Sequence, residues 1–381
     1  MSMIETAERT ALAAAMRQFV SREIFPNLPG WERDGQIPRE VHREIAKAGL
    51  FAVGFAEDIG GDGGDTLDMV IATEAFLEAG GSSGAHAALF THGIALPHII
   101  ASGDQDLIER FVRPALAGER VCSLGITEPD AGSDVAHLRT TAVRDGDDYV
   151  VNGAKMFITS GIRADFVTTA VRTGGPGASG ISLLVIERDT PGFTVSRKLD
   201  KMGWLCSDTA ELSFVDCRVP ARNLVGAENG GFQLIGQVFV PERIIAAVHA
   251  YSVAQRCLDI SLEYTRQRET FGKPLIARQV VQHKLVQMRQ RIELSRAYTR
   301  EVARRHAAGE FVAGEVCLAK NAAVETCKYV VDEAVQLHGG MGYMRESEVE
   351  RHYRDTRILG IGAGATEVMT DLAAKIFGYG R

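Results

Sequence analysis

The stretch Arg144–Thr159, RDGDDYVVNGAKMFIT, decides the fold. Its Asp145-Gly146 and Asn152-Gly153 steps read as hairpin turns, because glycine there accepts the positive φ that a two-residue turn requires. Both steps flank runs rich in β-branched and aromatic residues. Further short runs follow, separated by glycine or proline: DFVTTAVRT (165–173), GISLLVIERD (180–189), FTVSRKL (193–199) and TAELSFVDCRV (209–219). From about Val121 to Val225 the chain therefore reads as an antiparallel β domain.

On either side the apolar period lengthens from two to between three and four. Leu12, Met16 and Phe19 share one helical face, and PREVHREIAKAGL (38–50) opens on the proline expected at a helix start. EDIGGDGGDTLD (57–68) reads as a connector, not a phosphate loop. Beyond GAENGGF (226–232), Leu285, Met288 and Ile292 share a face. Val316, Ala319, Ala323, Cys327, Val330 and Ala334 extend a second stripe to a stop at Gly339-Gly340. Small residues dominate that stripe, which suits closely packed helices of a bundle. The expectation is an α+β multidomain chain: helical domain (1–120), middle β domain (121–228), helical bundle (229–381).

The 381 residues carry 45% hydrophobic and 24% charged side chains, as an ordinary globular protein does. A net charge of −7 provides no field for nucleic acid or anionic lipid. No basic segment precedes an apolar run at the N-terminus, so no signal peptide is expected. No window approaches 18 unbroken apolar residues, so no transmembrane helix is expected. The 6 cysteines are scattered without a C-x-x-C pair, which fits reduced thiols in a cytoplasmic protein and no metal site. GIGAGATEVM (360–369) has the spaced glycines of a dinucleotide-binding loop, but the chain ends before a βαβ unit could be completed.

ITEPDAGSD (126–134), NGAKMFITSG (152–161), RQRETFGKPL (266–275), VQLHGGMGYMRESEVERHYRD (335–355) and the terminal GATEVM together resemble the acyl-CoA dehydrogenase family, in the same order and over essentially the whole chain. The resemblance implies an N-terminal helical domain, a middle antiparallel β-barrel and a C-terminal four-helix bundle. It implies an FAD oxidoreductase acting on the CH–CH bond of an acyl-CoA, in fatty acid or branched-chain acyl-CoA catabolism. Leu124, Gly125, Ile126, Thr127, Gly132 and Ser133, with Phe157, Ile158 and Thr159, would line the flavin ring. Arg268, Phe271, Gln279, Gln336, Leu337, His338, Gly339 and Gly340 would reach the FAD of a neighbouring subunit. Ala365, Thr366 and Glu367 would complete the site. A homo-oligomer, usually a tetramer, and an electron-transfer flavoprotein as partner are implied as well. The residue types suit these roles: backbone N–H groups and the Thr127 hydroxyl can stabilise negative charge, and Arg268 offers a planar fork to diphosphate. Two positions depart from the pattern. Phe157 stands where many relatives have Trp, and Ala365 where Thr is usual.

The departure with chemical consequence is at residue 363. Much of the family reads Tyr-Glu-Gly-Thr where this chain has Gly362, Ala363, Gly364 and Ala365, and that Glu is the catalytic base. Alanine cannot remove a proton, so the base has moved or the protein is inactive. In FVPERIIAA (239–247), Glu242-Arg243 matches the place where isovaleryl-CoA and long-chain acyl-CoA dehydrogenases carry their base. Glu242 is thus the expected base, with Pro241 either starting or kinking its helix. The N–H of Ala363 would remain as a donor to the thioester oxygen. Ser133, Val240, Arg243, Gly362, Ala363 and Gly364 would line the substrate. A same-fold oxidase or monooxygenase and a non-catalytic partner subunit are the alternatives.

Overall fold

The apolar period changes twice along the chain, and the secondary structure changes with it in the computed structural model, which describes residues 6–379. Helices come first: α1 (Ala7–Phe19), α2 (Leu28–Asp34), α3 (Glu40–Lys47), α4 (Thr66–Glu78), α5 (Ser83–Leu89), α6 (His92–Ala95), α7 (Pro97–Ser102), α8 (Gln105–Leu107) and α9 (Arg113–Leu116). The glycine connector ends in a device that starts α4. The Asp65 carboxylate accepts from the N–H groups of Leu67 and Asp68, and the Asp68 carboxylate accepts from the N–H of Asp65. α4 is then buried from Val70 to Leu77.

The middle domain contains β1 (Cys122–Gly125), β2 (Thr141–Asp145), β3 (Asp148–Thr159), β4 (Phe166–Arg172), β5 (Ile181–Glu187), β6 (Phe193–Lys198), β7 (Thr209–Pro220) and β8 (Leu224–Val225). They pair in the order β6-β7-β3-β2-β4-β5-β8, with β1 added beside β4. Two pairings, β1 with β4 and β2 with β4, are parallel, so the sheet is mixed where the sequence suggested antiparallel pairing throughout. Among the described residues no ladder joins β6 to β8, so hydrogen bonds do not close the expected barrel.

One expected turn is not a turn. Asp145-Gly146 does close the β2–β3 hairpin, with Asp145 opposite Asp148. Asn152-Gly153 instead lies inside β3, where the register with β7 slips between Val151 and Gly153. The Asn152 side chain donates to Asp216 Oδ1 at 3.2 Å and accepts from the Asp216 N–H at 2.8 Å, holding the bulge to β7. A second slip lies between Lys155 and Ile158 and sets Phe157 at a φ of 61°.

The C-terminal part consists of α10 (Gly231–Gln267), the two-residue strands β9 (Glu269–Thr270) and β10 (Lys273–Pro274), α11 (Gln279–Ala307), α12 (Ala313–His338), α13 (Glu348–Thr356) and α14 (Thr366–Ile376). α12 packs on α10, α11 and α14, and α4 docks against α10 and α11. Every residue of the stripe from Val316 to Ala334 is buried, and Gly339 caps α12 at a φ of 56°. Pro241 does not start a helix; it lies ten residues into α10, where it removes the N–H that would bond the Gln237 carbonyl. By length and composition α10 could cross a membrane. Ile244, Val248, Tyr251 and Leu258 nevertheless lie in the core shared with α4, α11 and α12.

The bulge yields a test. Gly153 has a φ of 149°, and a Cβ there would lie 2.7 Å from Thr140 Cα and 2.6 Å from Thr140 Oγ1. Gly153→Ala should cost about 1–3 kcal/mol through overpacking. It should lower the unfolding temperature by several degrees in a calorimetric scan; an unchanged temperature would mean that the bulge yields freely.

Candidate active site

Three groups of residues make up the candidate site. The first is held by a buried ion pair. Lys155 of β3 is fully buried, and its Nζ donates to Glu128 Oε1 at 2.7 Å and to the Ile126 carbonyl at 3.2 Å. Glu128 also accepts from the N–H groups of Arg139 (2.6 Å) and Thr140 (2.9 Å). Burial pushes the Lys155 ammonium down to about 8, opposed by Glu128. The charges of Lys155 and these donors hold the Glu128 carboxyl below its ordinary value despite its own burial. The Met156 N–H donates to the Thr127 carbonyl at 2.9 Å, so residues 126–128 are tied to the bulged part of β3. Here Leu124, Ile126, Thr127 and Thr159 are half-buried, Gly125 and Ile158 are buried, and the Phe157 side chain stands 63% exposed. Gly132 and Ser133 form an exposed rim.

The second group is at the far ends of α10 and α12. Arg268 caps α10 and is exposed; its N–H donates to the Tyr264 carbonyl at 2.8 Å, and its guanidinium has no hydrogen-bond or ion-pair partner among the described residues. Phe271 is 96% exposed at a φ of 51°, with the Arg278 guanidinium 5.6 Å from its ring centre. Gln279 and Gln336 are exposed, and a Cβ on Gly339 or Gly340 would meet nothing within 4 Å. Leu337 and His338 have buried side chains, and the His338 ring stacks on Tyr264 at 4.2 Å. They can offer a ligand only main chain. Among the described residues, no hydrogen bond or ion pair joins this group to the first.

The third group contains the displaced carboxylate. Glu242 is half-buried one residue beyond Pro241. Burial raises its carboxyl above the ordinary 4.5, while the nearby Arg243 and Lys320 charges pull it back. Arg243 lies over the Phe239 ring at 5.0 Å, and burial lowers its pKa. Val240 is half-buried against the core. Lys320 of α12 is fully buried and reaches the loop before α14, donating to the carbonyls of Gly362 (3.1 Å) and Gly364. Ala363 between them has a φ of 52°. Ala365 occupies the N-cap of α14 with no side chain to cap it, Thr366 donates weakly to the Gly360 carbonyl at 3.4 Å, and Glu367 is exposed in the first turn. Lys320 thus binds the loop at residues 362–364 and lies near enough to Glu242 and Arg243 for their charges to act on one another. The sequence reading missed Lys320, although its spacing from Val316 and Ala323 puts it on the buried stripe of α12.

Family models described as the acyl-CoA dehydrogenase N-terminal, middle and C-terminal domains match residues 6–119, 123–217 and 229–377. A mouse mitochondrial long-chain specific acyl-CoA dehydrogenase is 36% identical over 98% of this chain and 87% of its own. A crystal structure from Mycobacterium smegmatis, provisionally described as an acyl-CoA dehydrogenase, is 58% identical, covers 100% of both chains and has a TM-score of 0.99. A glutaryl-CoA dehydrogenase from the same organism, solved with FADH2, is 27% identical over 98% of this chain and 96% of its own, with a TM-score of 0.92. The chain belongs to the acyl-CoA dehydrogenase family. It is an FAD-dependent oxidoreductase that dehydrogenates acyl-CoA thioesters at a CH–CH bond.

The residues present fit that cofactor. The exposed Phe157 ring offers a flat apolar face, the unpaired Arg268 fork suits diphosphate, and the open main chain at Gly339-Gly340 admits close approach. The Lys155–Glu128 pair should decide whether the first wall holds its shape. Glu128→Ala leaves a buried ammonium unpaired, at a cost of about 3–5 kcal/mol. The variant should purify with much less FAD per chain, read from the ratio of flavin to protein absorbance. Full FAD content would show that the wall does not need the pair.

Proposed function

We propose that the chain removes the α-proton of its acyl-CoA with Glu242 while the Ala363 N–H donates to the thioester oxygen. The reading is carried by one observation: the buried lysine that holds the Gly362 and Gly364 carbonyls also lies near enough to Glu242 for its charge to act on that carboxyl. Deprotonation at Cα moves negative charge onto the thioester oxygen, and a preorganised N–H there stabilises the charge as it forms. Held between the wall at residues 124–133 and 157–159 and the Arg268 and Gly339-Gly340 group, FAD would supply the acceptor for the β-hydride and a ribityl hydroxyl as a second donor. A base on α10 also leaves the side chain of residue 363 free to be lost, since only its main chain is required. Ser133 would border the entrance to the thioester, and Arg243 would hold the base region.

The exposed Phe271 and unpaired Arg268 need a surface that one chain does not supply, so we assign the second half of the cofactor site to another copy in a homo-oligomer. A tetramer of two such dimers in the cytoplasm, passing its electrons to an electron-transfer flavoprotein, is the arrangement we propose.

Glu242→Gln keeps the shape and removes the proton acceptor. FAD should stay bound while the rate of flavin bleaching by an acyl-CoA falls about 10²–10⁴-fold in stopped flow. In the parent the bleaching rate should fall with acidity through a pKa above 4.5, because the carboxyl is raised and must be ionised to act. Adding Ala363→Glu to Glu242→Gln should restore part of the rate with an altered chain-length preference. A Glu242→Gln protein that bleaches like the parent would remove Glu242 as the base.

Gly362 carries a second expectation. A Cβ there would meet only Ile358, at 3.6 Å and 3.9 Å, so the space beside the substrate is open. Gly362→Tyr should reduce kcat/KM for branched acyl-CoA substrates more than for straight ones. Equal losses in a panel assay with an artificial electron acceptor would show that the gap does not select for branching.

A further inference from the structure

Lys320 takes no part in proton or hydride transfer, yet its ammonium is buried and spent on two main-chain oxygens of the site. Those oxygens belong to Gly362 and Gly364, on either side of Ala363. Among the described residues no peptide is cis, so each of these peptide groups is planar and trans, with N–H opposite C=O. The Gly362 carbonyl shares its peptide with the Ala363 N–H, and the Gly364 carbonyl shares its peptide with the Ala365 N–H. Gripping both oxygens from α12 turns both N–H groups away from α12. Consistent with that, the N–H groups of Ala363, Gly364 and Ala365 donate to no protein acceptor among the described residues. They are free for a ligand.

The grip does two more things. A left-handed φ at a non-glycine residue costs about 1–2 kcal/mol, so the 52° of Ala363 must be held by something outside it. Asn321, next to Lys320, holds the following turn by donating to the Thr366 carbonyl at 2.9 Å and to Thr370 Oγ1 at 3.2 Å. A cation on a carbonyl oxygen also polarises its amide and strengthens the N–H on the other side. We propose that Lys320 is a positioning residue for the dehydrogenation: its ammonium clamps the peptides flanking Ala363, and so aims and strengthens the Ala363 N–H toward the thioester oxygen. The proposal rests on the assignment of Glu242 and the Ala363 N–H made above.

Acetoacetyl-CoA separates the two claims, because this 3-oxoacyl thioester ionises at Cα without a catalyst. Its enolate, bound to the holoenzyme, reports donor strength at the oxygen through its own pKa, read from absorbance against pH. Lys320→Met keeps the alkyl stem and removes the clamp. We expect the pKa of bound acetoacetyl-CoA to rise by one unit or more and kcat to fall at least tenfold, with KM within threefold of the parent. Amide hydrogen exchange in residues 361–366 should quicken while the rest of the chain exchanges as before. Glu242→Gln should lower turnover about 10²–10⁴-fold without raising the pKa of the bound probe. An unchanged probe pKa, kcat and exchange in Lys320→Met would overturn the proposal. So would a general increase in exchange with the probe pKa unmoved, which marks a merely structural lysine. Normal turnover in Glu242→Gln would instead overturn the base assignment and leave the probe titration to decide on the clamp. If Lys320→Met does not fold, Lys320→Gln carries the same readouts, and the same results support or overturn the clamp.

Discussion

A buried ammonium must be met by oxygen, and this chain buries two that hold the walls of its candidate active site. Lys155 collects Glu128 and the Ile126 carbonyl, tying residues 126–128 to the bulge of β3 that presents Phe157. Lys320 collects the carbonyls of Gly362 and Gly364 and holds the loop before α14. In both cases burial pushes the ammonium down to about 8, which makes each group costly to keep charged and costly to leave unpaired. A loop pinned in this way cannot relax without stranding a charge. Precision at two irregular segments is therefore enforced by electrostatics from rigid elements, a strand in one case and a long helix in the other.

Most of the framework was legible in the sequence because it is periodic. The stripe from Val316 to Ala334 is buried residue for residue, and the runs at 165–173, 180–189, 193–199 and 209–219 are strands. What was not legible depends on contacts distant in sequence. Asn152-Gly153 has the composition of a turn, but Asp216, 64 residues on, pairs with Asn152 and makes the step a bulge. The parallel pairings of β4 could not be read from β4 itself, since a strand's own residues do not state its neighbours. Site motifs fared unevenly for the same reason. The Glu242 motif is local and readable in the sequence, whereas the burial of the Leu337 and His338 side chains was not, because the His338 ring stacks on Tyr264 of another helix. Lys320 was visible as a charge on an apolar stripe, but its carbonyl partners lie more than 40 residues away.

Strain is concentrated where the chemistry is placed. Among the described residues seven non-glycine positions have positive φ, and three of them, Phe157, Phe271 and Ala363, are candidate site residues. Each such conformation costs about 1–3 kcal/mol and persists only where its surroundings over-determine it. For Ala363 the surroundings are Lys320 and Asn321; for Phe157 they are the register slip of β3 and the Met156–Thr127 bond. Phe271 is almost fully exposed, with the Arg278 guanidinium over its ring and bonded to the adjacent Thr270 carbonyl, which suits the second copy proposed for the site.

The charges around Glu242 suit the role of base proposed for it. A carboxylate must be basic enough to take an α-proton and yet ionised when substrate arrives, and burial alone would push it toward the neutral form. Arg243 and Lys320 oppose that push, one from the same helix and one from α12. With a neutral side chain at residue 363, Lys320 has no carboxylate on the loop to pair with, so its field acts on the loop's carbonyls and on Glu242 together. In the proposed mechanism the same ammonium links the two halves of the reaction. It would favour the ionised Glu242 before proton transfer and polarise the amide whose N–H donates to the oxygen that gains negative charge. In this mechanism the carboxylate stands on α10 while the loop keeps a cation, Lys320, whose grip on the Gly362 and Gly364 carbonyls leaves the main-chain donors facing away from α12.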